Sequence, residues 1–161
     1  MVTSGKKLVA TKKNMTYRGT HLANLDEKNR LSVPKKIRDK LSPKTSLILT
    51  AHPDKCLLLY KTKDWFPVEK RIMTLSSFNK KSNVLQRLLV GYADEVRMDN
   101  AGRVLISQTL KHFSQIKHEC IFVGQGSHYE IWDKDSWDKF ILGGLKQNLD
   151  LNDPELEGFN L

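Results

Sequence analysis

Residues 25–34 read LDEKNRLSVP, and residues 98–107 read MDNAGRVLIS. The acid and the arginine, four apart, return at one constant offset: Asp26 and Arg30 become Asp99 and Arg103. Behind them Leu31 aligns with Val104, Val33 with Ile106 and Ile37 with Leu110. Farther on, SLILTAHPDKCLLLYKTKDW (46–65) aligns with ECIFVGQGSHYEIWDKDSW (119–137), bringing Tyr60 onto Trp132 and Trp65 onto Trp137. Two copies make a duplicated unit, since a solenoid needs at least three repeats to bury its faces.

The repeated segment carries its own turn chemistry. An aspartate that opens a turn accepts hydrogen bonds from amides two or more residues on. The position before the arginine must take positive φ, and it holds Asn29 in one copy and Gly102 in the other, the types that tolerate this region best. DEKN and DNAG therefore read as type I turns closed by a left-handed residue, the geometry of a longer hairpin loop. A short strand precedes each turn. A second strand follows, alternating at Leu31 and Val33 and at Val104 and Ile106. Pro34 then opens a short helix, KKIRDKL, with Ile37 and Leu41 on one face. In the second copy LKHF places Leu110 and Phe113 alike.

Two further strands follow in each copy, joined by HPDK or GQGS, and each copy closes on a helix that starts near Trp65 or Trp137. Between the copies SNVLQRLLVGYADEV sets Leu85, Leu88, Leu89 and Tyr92 on one helical face, with Ser82 as the expected cap. The expected layout is a basic, disordered arm over 1–14, a first repeat over 15–81, a connecting helix over 82–97, a second repeat over 98–145 and a frayed acidic tail over 146–161. The tail offers few apolar anchors, Leu151, Leu156, Phe159 and Leu161.

Charge points to the partner. The 161 residues hold 27 Lys+Arg against 18 Asp+Glu, a formal charge of +9. Such a balance favours a polyanion, usually nucleic acid. It is clustered: Lys6, Lys7, Lys12 and Lys13 stand without an acid, and seven basic residues with only Asp39 fill positions 28 to 44. Guanidinium forks suit phosphate and guanine edges. Arg30 is therefore the leading candidate for nucleic-acid contact, with Lys28, Lys35, Lys36 and Arg38 beside it, Arg18 upstream and Arg103 at the less basic second turn. Asp26, Asn29, Asp99 and Gly102 are expected to shape the turns. A simpler role for each acid–arginine pair is to hold its own hairpin tip, a contact worth about 0–1 kcal/mol when exposed.

Other classes lack support. GQG at 124–126 precedes HYEIW, a strand and not the helix that a dinucleotide fingerprint requires. No Walker motif occurs, so no enzyme is expected. Cys56 and Cys120 read as reduced thiols in strands, and neither they nor His112 and His118 have a zinc-motif spacing, so no metal or other cofactor is expected. Apolar runs are too short to span a bilayer, and no signal-type apolar stretch follows the N-terminal lysines.

The strings RGTHLANLDEKNRLSVPKKIR, RMDNAGRVLISQTLKHF and VGQGSHYEIWDKDSW together resemble the MraZ family of bacterial proteins, from about Met15 to Gly143. MraZ proteins are related to AbrB-like, swapped-hairpin DNA-binding proteins. The resemblance implies an α+β fold in which duplicated hairpin–helix units form a pseudo-twofold AbrB-like β-barrel with flanking helices. An AbrB-like barrel normally takes two chains; two copies in one chain would build it intramolecularly, one turn at each corner. The resemblance further implies a transcriptional regulator of double-stranded DNA that binds short direct repeats in the promoter of the division and cell-wall gene cluster. It implies a ring-shaped homo-oligomer in the cytoplasm over the nucleoid, with Arg30 at the position associated with DNA contact. No membrane partner or small-molecule substrate is implied; an antitoxin-like role, binding a partner protein, is the alternative. The chain has Asn29 where the family usually has Gly and Ser107 where it usually has Pro, which predicts a looser second strand-to-helix junction.

Overall fold

The structure, a computed structural model, describes residues 16–147 and 149–159. The basic arm expected over residues 1–14 lies outside the described residues. The first half comprises β1 (Thr20–Asn24), β2 (Arg30–Ser32), α1 (Lys35–Leu41), β3 (Leu47–Ala51), β4 (Leu57–Lys61) and α2 (Thr62–Met73). After a connecting helix, α3 (Lys80–Leu89), the same order returns as β5 (Asp94–Val96), β6 (Arg103–Leu105), α4 (Gln108–Ser114), β7 (Glu119–Gly124), β8 (Tyr129–Asp133) and α5 (Lys134–Lys146).

The halves exchange strands. A six-stranded antiparallel sheet runs β1-β7-β8-β4-β3-β5, so the first strand of each half lies on the other half's hairpin. β2 and β6 pair with each other as a separate two-stranded ribbon. In the ribbon Leu31 faces Val104, and in the large sheet Leu58 faces Glu130. Each is paired with its own repeat equivalent, as an internal twofold axis between the halves requires. The expected α+β duplication is therefore present, but among the described residues the hydrogen-bonded sheet does not close. Its ladder ends at β1 and β5. The ribbon strands are three residues long, and the bridge Leu25↔Leu31 beside the first turn is their one link toward the large sheet's strands among the described residues.

One core joins both halves. Leu25, Leu31, Val33, Ile37, Leu41 and Leu49 pack with Val104, Ile106, Leu110, Phe122 and Ile131, all essentially inaccessible. Each half adds a satellite under its long helix: Tyr60, Trp65 and Ile72 against α2, and Ile121, Val123 and Trp132 with Trp137 against α5. Cys120 lies in β7, whereas Cys56 sits just before β4 and not within a strand; both are free and buried.

Three local expectations change. α3 is capped three residues earlier than the Ser82 reading, because the Asn79 side chain accepts from the amides of Lys81 at 2.9 Å and Ser82 at 3.4 Å. It also stops at Leu89, leaving Tyr92 outside the helix and edge-on to Phe113 at 5.7 Å. The second strand-to-helix junction is tied, not loose: Ser107 accepts from the Leu110 amide at 3.3 Å and caps α4, a bond that Pro34 does not make for α1. The described part of the acidic tail holds a single 3-10 turn, Pro154–Leu156.

The two repeated turns are bolted to each other across the ribbon. The Val33 amide donates to the Gly102 carbonyl at 3.0 Å, and the Ile106 amide donates to the Asn29 carbonyl at 2.8 Å. A cation from each short helix crosses as well: Arg38 Nη1 donates to the Ala101 carbonyl at 3.2 Å, and Lys111 Nζ to Asn29 Oδ1 at 2.8 Å. Arg38 lies over Gly102, where an added Cβ would collide with its guanidinium. Gly102 also has φ 74°. Gly102→Ala is therefore expected to lower stability by roughly 1–3 kcal/mol, the usual cost of a strained backbone site, while Asn29→Gly, which keeps the backbone free, costs less. Urea melts of both variants check this ordering.

Candidate nucleic-acid interface

The paired turns have nearly identical geometry. Asp26 Oδ1 accepts from the amides of Lys28 and Arg30, both at 2.9 Å, and its Oδ2 accepts from Arg30 Nε at 2.7 Å. Asp99 Oδ1 accepts from the amides of Ala101 and Arg103, both at 2.9 Å, and its Oδ2 from Arg103 Nε at 2.9 Å. Each turn is closed by the backbone, Asn29 N to Asp26 O at 3.0 Å and Gly102 N to Asp99 O at 2.9 Å. The left-handed closing residues are Asn29, φ 60°, and Gly102. In each turn the aspartate accepts the amides, and Asn29 or Gly102 holds the closing position.

So the acid–arginine pair does hold the hairpin tip, and this leaves the arginine useful. Only Nε is engaged with the carboxylate, while the terminal amino groups of Arg30 and Arg103 have no hydrogen-bond partner among the described residues. The two side chains are 32% and 31% exposed, so each fork is oriented but open to solvent. A guanidinium held at Nε keeps its two outer nitrogens for bidentate contact with phosphate or guanine.

Strand alternation sets the face. Leu31 and Val104 point into the core, so Arg30, Ser32, Arg103 and Leu105 share the outward side of the ribbon. Arg30 stands opposite Leu105 and Arg103 opposite Ser32, which makes the arginines diagonal neighbours about 7–8 Å apart. Lys28 is exposed at the first tip, and Lys35 and Lys36 are exposed in the first turn of α1. Arg38 differs from them: it is half-buried and committed to Ala101. Arg18 is exposed but lies before β1, beside Gly124 at the far end of that strand from the turn, and is not brought to the ribbon. The sequence reading had not singled out Ser32 or Leu105; the alternation around Leu31 and Val104 contained that signal.

Both turn carboxylates titrate below their ordinary value of 3.8, chiefly through the backbone hydrogen bond from the arginine amide, with the guanidinium adding to it and desolvation opposing. A depressed carboxylate contributes stability that is fully present above the unfolded value and lost as pH falls through the folded one. The stability difference between wild type and the double variant Asp26→Asn, Asp99→Asn should thus be largest above about pH 4 and shrink below it. Thermal melts of both proteins between neutral pH and pH 2 read this directly.

A pseudo-twofold β-ribbon carrying open arginine forks, with lysines at one rim, defines a basic surface of the kind that nucleic-acid-binding β-proteins present. Comparison with known proteins narrows the class. The family model described as "MraZ protein, putative antitoxin-like" matches residues 16–88 and again 89–152. The chain is 45% identical over 148 residues to the transcriptional regulator MraZ of Methylobacillus flagellatus, covering 90% of this chain and 99% of that protein. It is 41% identical over 147 residues to the protein of the same name from Thiobacillus denitrificans, at 90% and 99% coverage. The Enterobacter sp. protein of that name is 42% identical over 126 residues, at 75% and 82% coverage. The chain belongs to the MraZ family.

Proposed function

We propose that this chain is a sequence-specific, double-stranded-DNA-binding transcriptional regulator and not an enzyme. The outward face of the β2–β6 ribbon carries the reading. Two diagonal arginines project from a two-stranded ribbon, an element narrow enough to enter the roughly 12 Å major groove. Arg30 and Arg103 contact guanine edges or phosphates, and Ser32 and Leu105 lie against the bases between them. Lys28, Lys35 and Lys36 meet flanking phosphates, which position the ribbon without reading sequence. Arg18, set apart from this face, is the weakest member of the proposed contact set. Arg38 acts on DNA only indirectly, by holding the second turn.

The finer proposals follow from the family resemblance. The sheet and ribbon together constitute an AbrB-like swapped-hairpin barrel, its first repeat running from β1 to α2 and its second from β5, ahead of the expected 98–145, to α5. The target is a set of short direct repeats in the promoter of the division and cell-wall gene cluster, read in the cytoplasm over the nucleoid. A ring of identical chains presents one ribbon per subunit. Its avidity would then exceed the affinity of any single ribbon. The exposed Phe140, Ile141, Leu142 and Leu145 of α5 supply an apolar surface that supports contact between copies. The same surface is what an antitoxin-like, partner-binding role would use, and that is the second reading.

Fluorescence anisotropy tests the proposal with the chain's own upstream promoter fragment and a scrambled fragment of equal length. Arg30→Ala should weaken promoter binding by roughly 1–3 kcal/mol and erase the preference over the scrambled fragment. Lys35→Ala with Lys36→Ala should weaken both fragments alike and flatten the salt dependence by about one unit of slope per lost phosphate contact. Equal binding of both fragments by the wild type would reject sequence-specific reading. Unchanged binding by a folded Arg30→Ala variant would remove that residue from the interface.

A further inference from the structure

The β3–β4 connection has the sequence HPDKC and is closed at its base: the His52 amide donates to the Cys56 carbonyl at 2.9 Å, and the Lys55 amide to the His52 carbonyl at 2.9 Å. Lys55 takes the left-handed conformation, φ 65°, that turns the chain back. The loop thus sets an imidazole and a thiol at its two ends. Glu130 arrives from β8, which pairs with β4. Cys56 is fully buried, and its Sγ donates to Glu130 Oε2 at 3.3 Å. One donor atom from each of His52, Cys56 and Glu130 lies within 4.8 Å of the other two.

Those spacings are within reach of a coordination sphere. Ligand bonds of about 2.3 Å to sulfur and 2.0–2.2 Å to nitrogen and oxygen, arranged tetrahedrally, separate the donor atoms by about 3.3–3.8 Å. The Cys56–Glu130 contact already has such a length. A thiol is a weak donor to a carboxylate, so the proton between them is an indifferent occupant of that space. The loop also fixes the ring: the Asp54 amide donates to His52 Nδ1 at 3.0 Å, and ligation through Nε2 would exchange that bond for an Nδ1–H facing Asp54 Oδ2, 3.7 Å away. His52, together with His128, also lines a cavity of about 590 Å³.

We propose that His52, Cys56 and Glu130 bind one divalent late transition-metal ion, with Zn²⁺ as the reference occupant and a fourth position open toward the cavity. Loading displaces the thiol proton to solvent, so that thiolate and carboxylate together balance the charge of the ion. The mixed nitrogen, sulfur and oxygen set selects against Mg²⁺ and Ca²⁺, which take oxygen ligands. The site is built once: the corresponding second-copy loop has Gln125 and His128 at its base, without a cysteine. None of its ligands belongs to the ribbon face.

The test is a Co²⁺ titration of the full, tag-free, chelator-treated chain, followed by absorption. The expected result is saturation at one ion per chain, with a thiolate-to-cobalt charge-transfer band that Zn²⁺ bleaches. Cys120→Ser should keep the band and Cys56→Ser should lose it. His52→Gln and Glu130→Gln should each weaken Co²⁺ binding by at least about tenfold with unchanged circular dichroism, and these two variants decide the matter if Cys56→Ser does not fold. Absence of a saturable spectrum in the wild type overturns the site. So does a band that survives Cys56→Ser, disappears in Cys120→Ser, or is indifferent to both His52→Gln and Glu130→Gln.

Discussion

Two backbone hydrogen bonds, Val33 to Gly102 and Ile106 to Asn29, tie each half's turn to the other half's strand. Each uses the carbonyl of a residue in the left-handed region, which the turn aims outward from its own hairpin. A turn closed in the ordinary right-handed region would direct that carbonyl elsewhere and leave a strand amide beside the core without a partner, at a cost of about 1–3 kcal/mol. The duplicated aspartates secure the conformation by occupying the amides on the inner side of each turn. Turn geometry, ribbon pairing and the union of the two halves are thus one constraint seen at three scales.

That constraint also sets the spacing of the arginines. Arg30 and Arg103 belong to distant parts of the chain, yet the Leu31↔Val104 register leaves them diagonal on a single face. Their orientation is fixed by the same carboxylates that shape the turns. Little side-chain freedom then remains to be lost on binding, and preorganisation of this kind adds affinity without adding contacts. The carboxylate also reduces the positive field at each tip. The exposed lysines at positions 28, 35 and 36 restore that field on the first side only, so a symmetric backbone carries an asymmetric charge.

Local chemistry made much of this legible in the sequence. An acid four residues before an arginine, with Asn or Gly between, specifies a turn through bonds no longer than the turn itself, and the turns were readable for that reason. The short helices announced themselves through Ile37, Leu41 and Leu110, and the long ones through Trp65 and Trp137. Long-range partners were not readable. Nothing local tells that Arg38 crosses to Ala101 while Lys35 and Lys36 stay in solvent. Asn79 outcompeted Ser82 as a cap because its side chain reached two amides at once. Closure of a barrel cannot be read from strand count, since it depends on the tilt and register of strands far apart in the chain. The His52 and Cys56 pair was visible in HPDKC, but its third member lies on β8 and becomes adjacent only through the β4–β8 ladder.

The halves have diverged in a coupled way. Arg38 and Lys111 are repeat equivalents, and each crosses to the opposite turn, but they find different surfaces there. The Arg38 guanidinium lies over Gly102 and reaches past it to the Ala101 carbonyl, which succeeds only because Gly102 has no Cβ. The Lys111 ammonium, a compact charge on a flexible stem, stops at the Asn29 side-chain oxygen. Exchanging one member alone breaks the match: asparagine at 102 would occupy the guanidinium's place, and glycine at 29 would remove the lysine's acceptor. The side chain of Asn29, which the turn's backbone does not require, thus serves the cation facing it. A pseudo-twofold fold preserves its backbone contacts through such exchanges because the left-handed turn tolerates either residue, and the side chains above it are free to settle the pairing separately on each side.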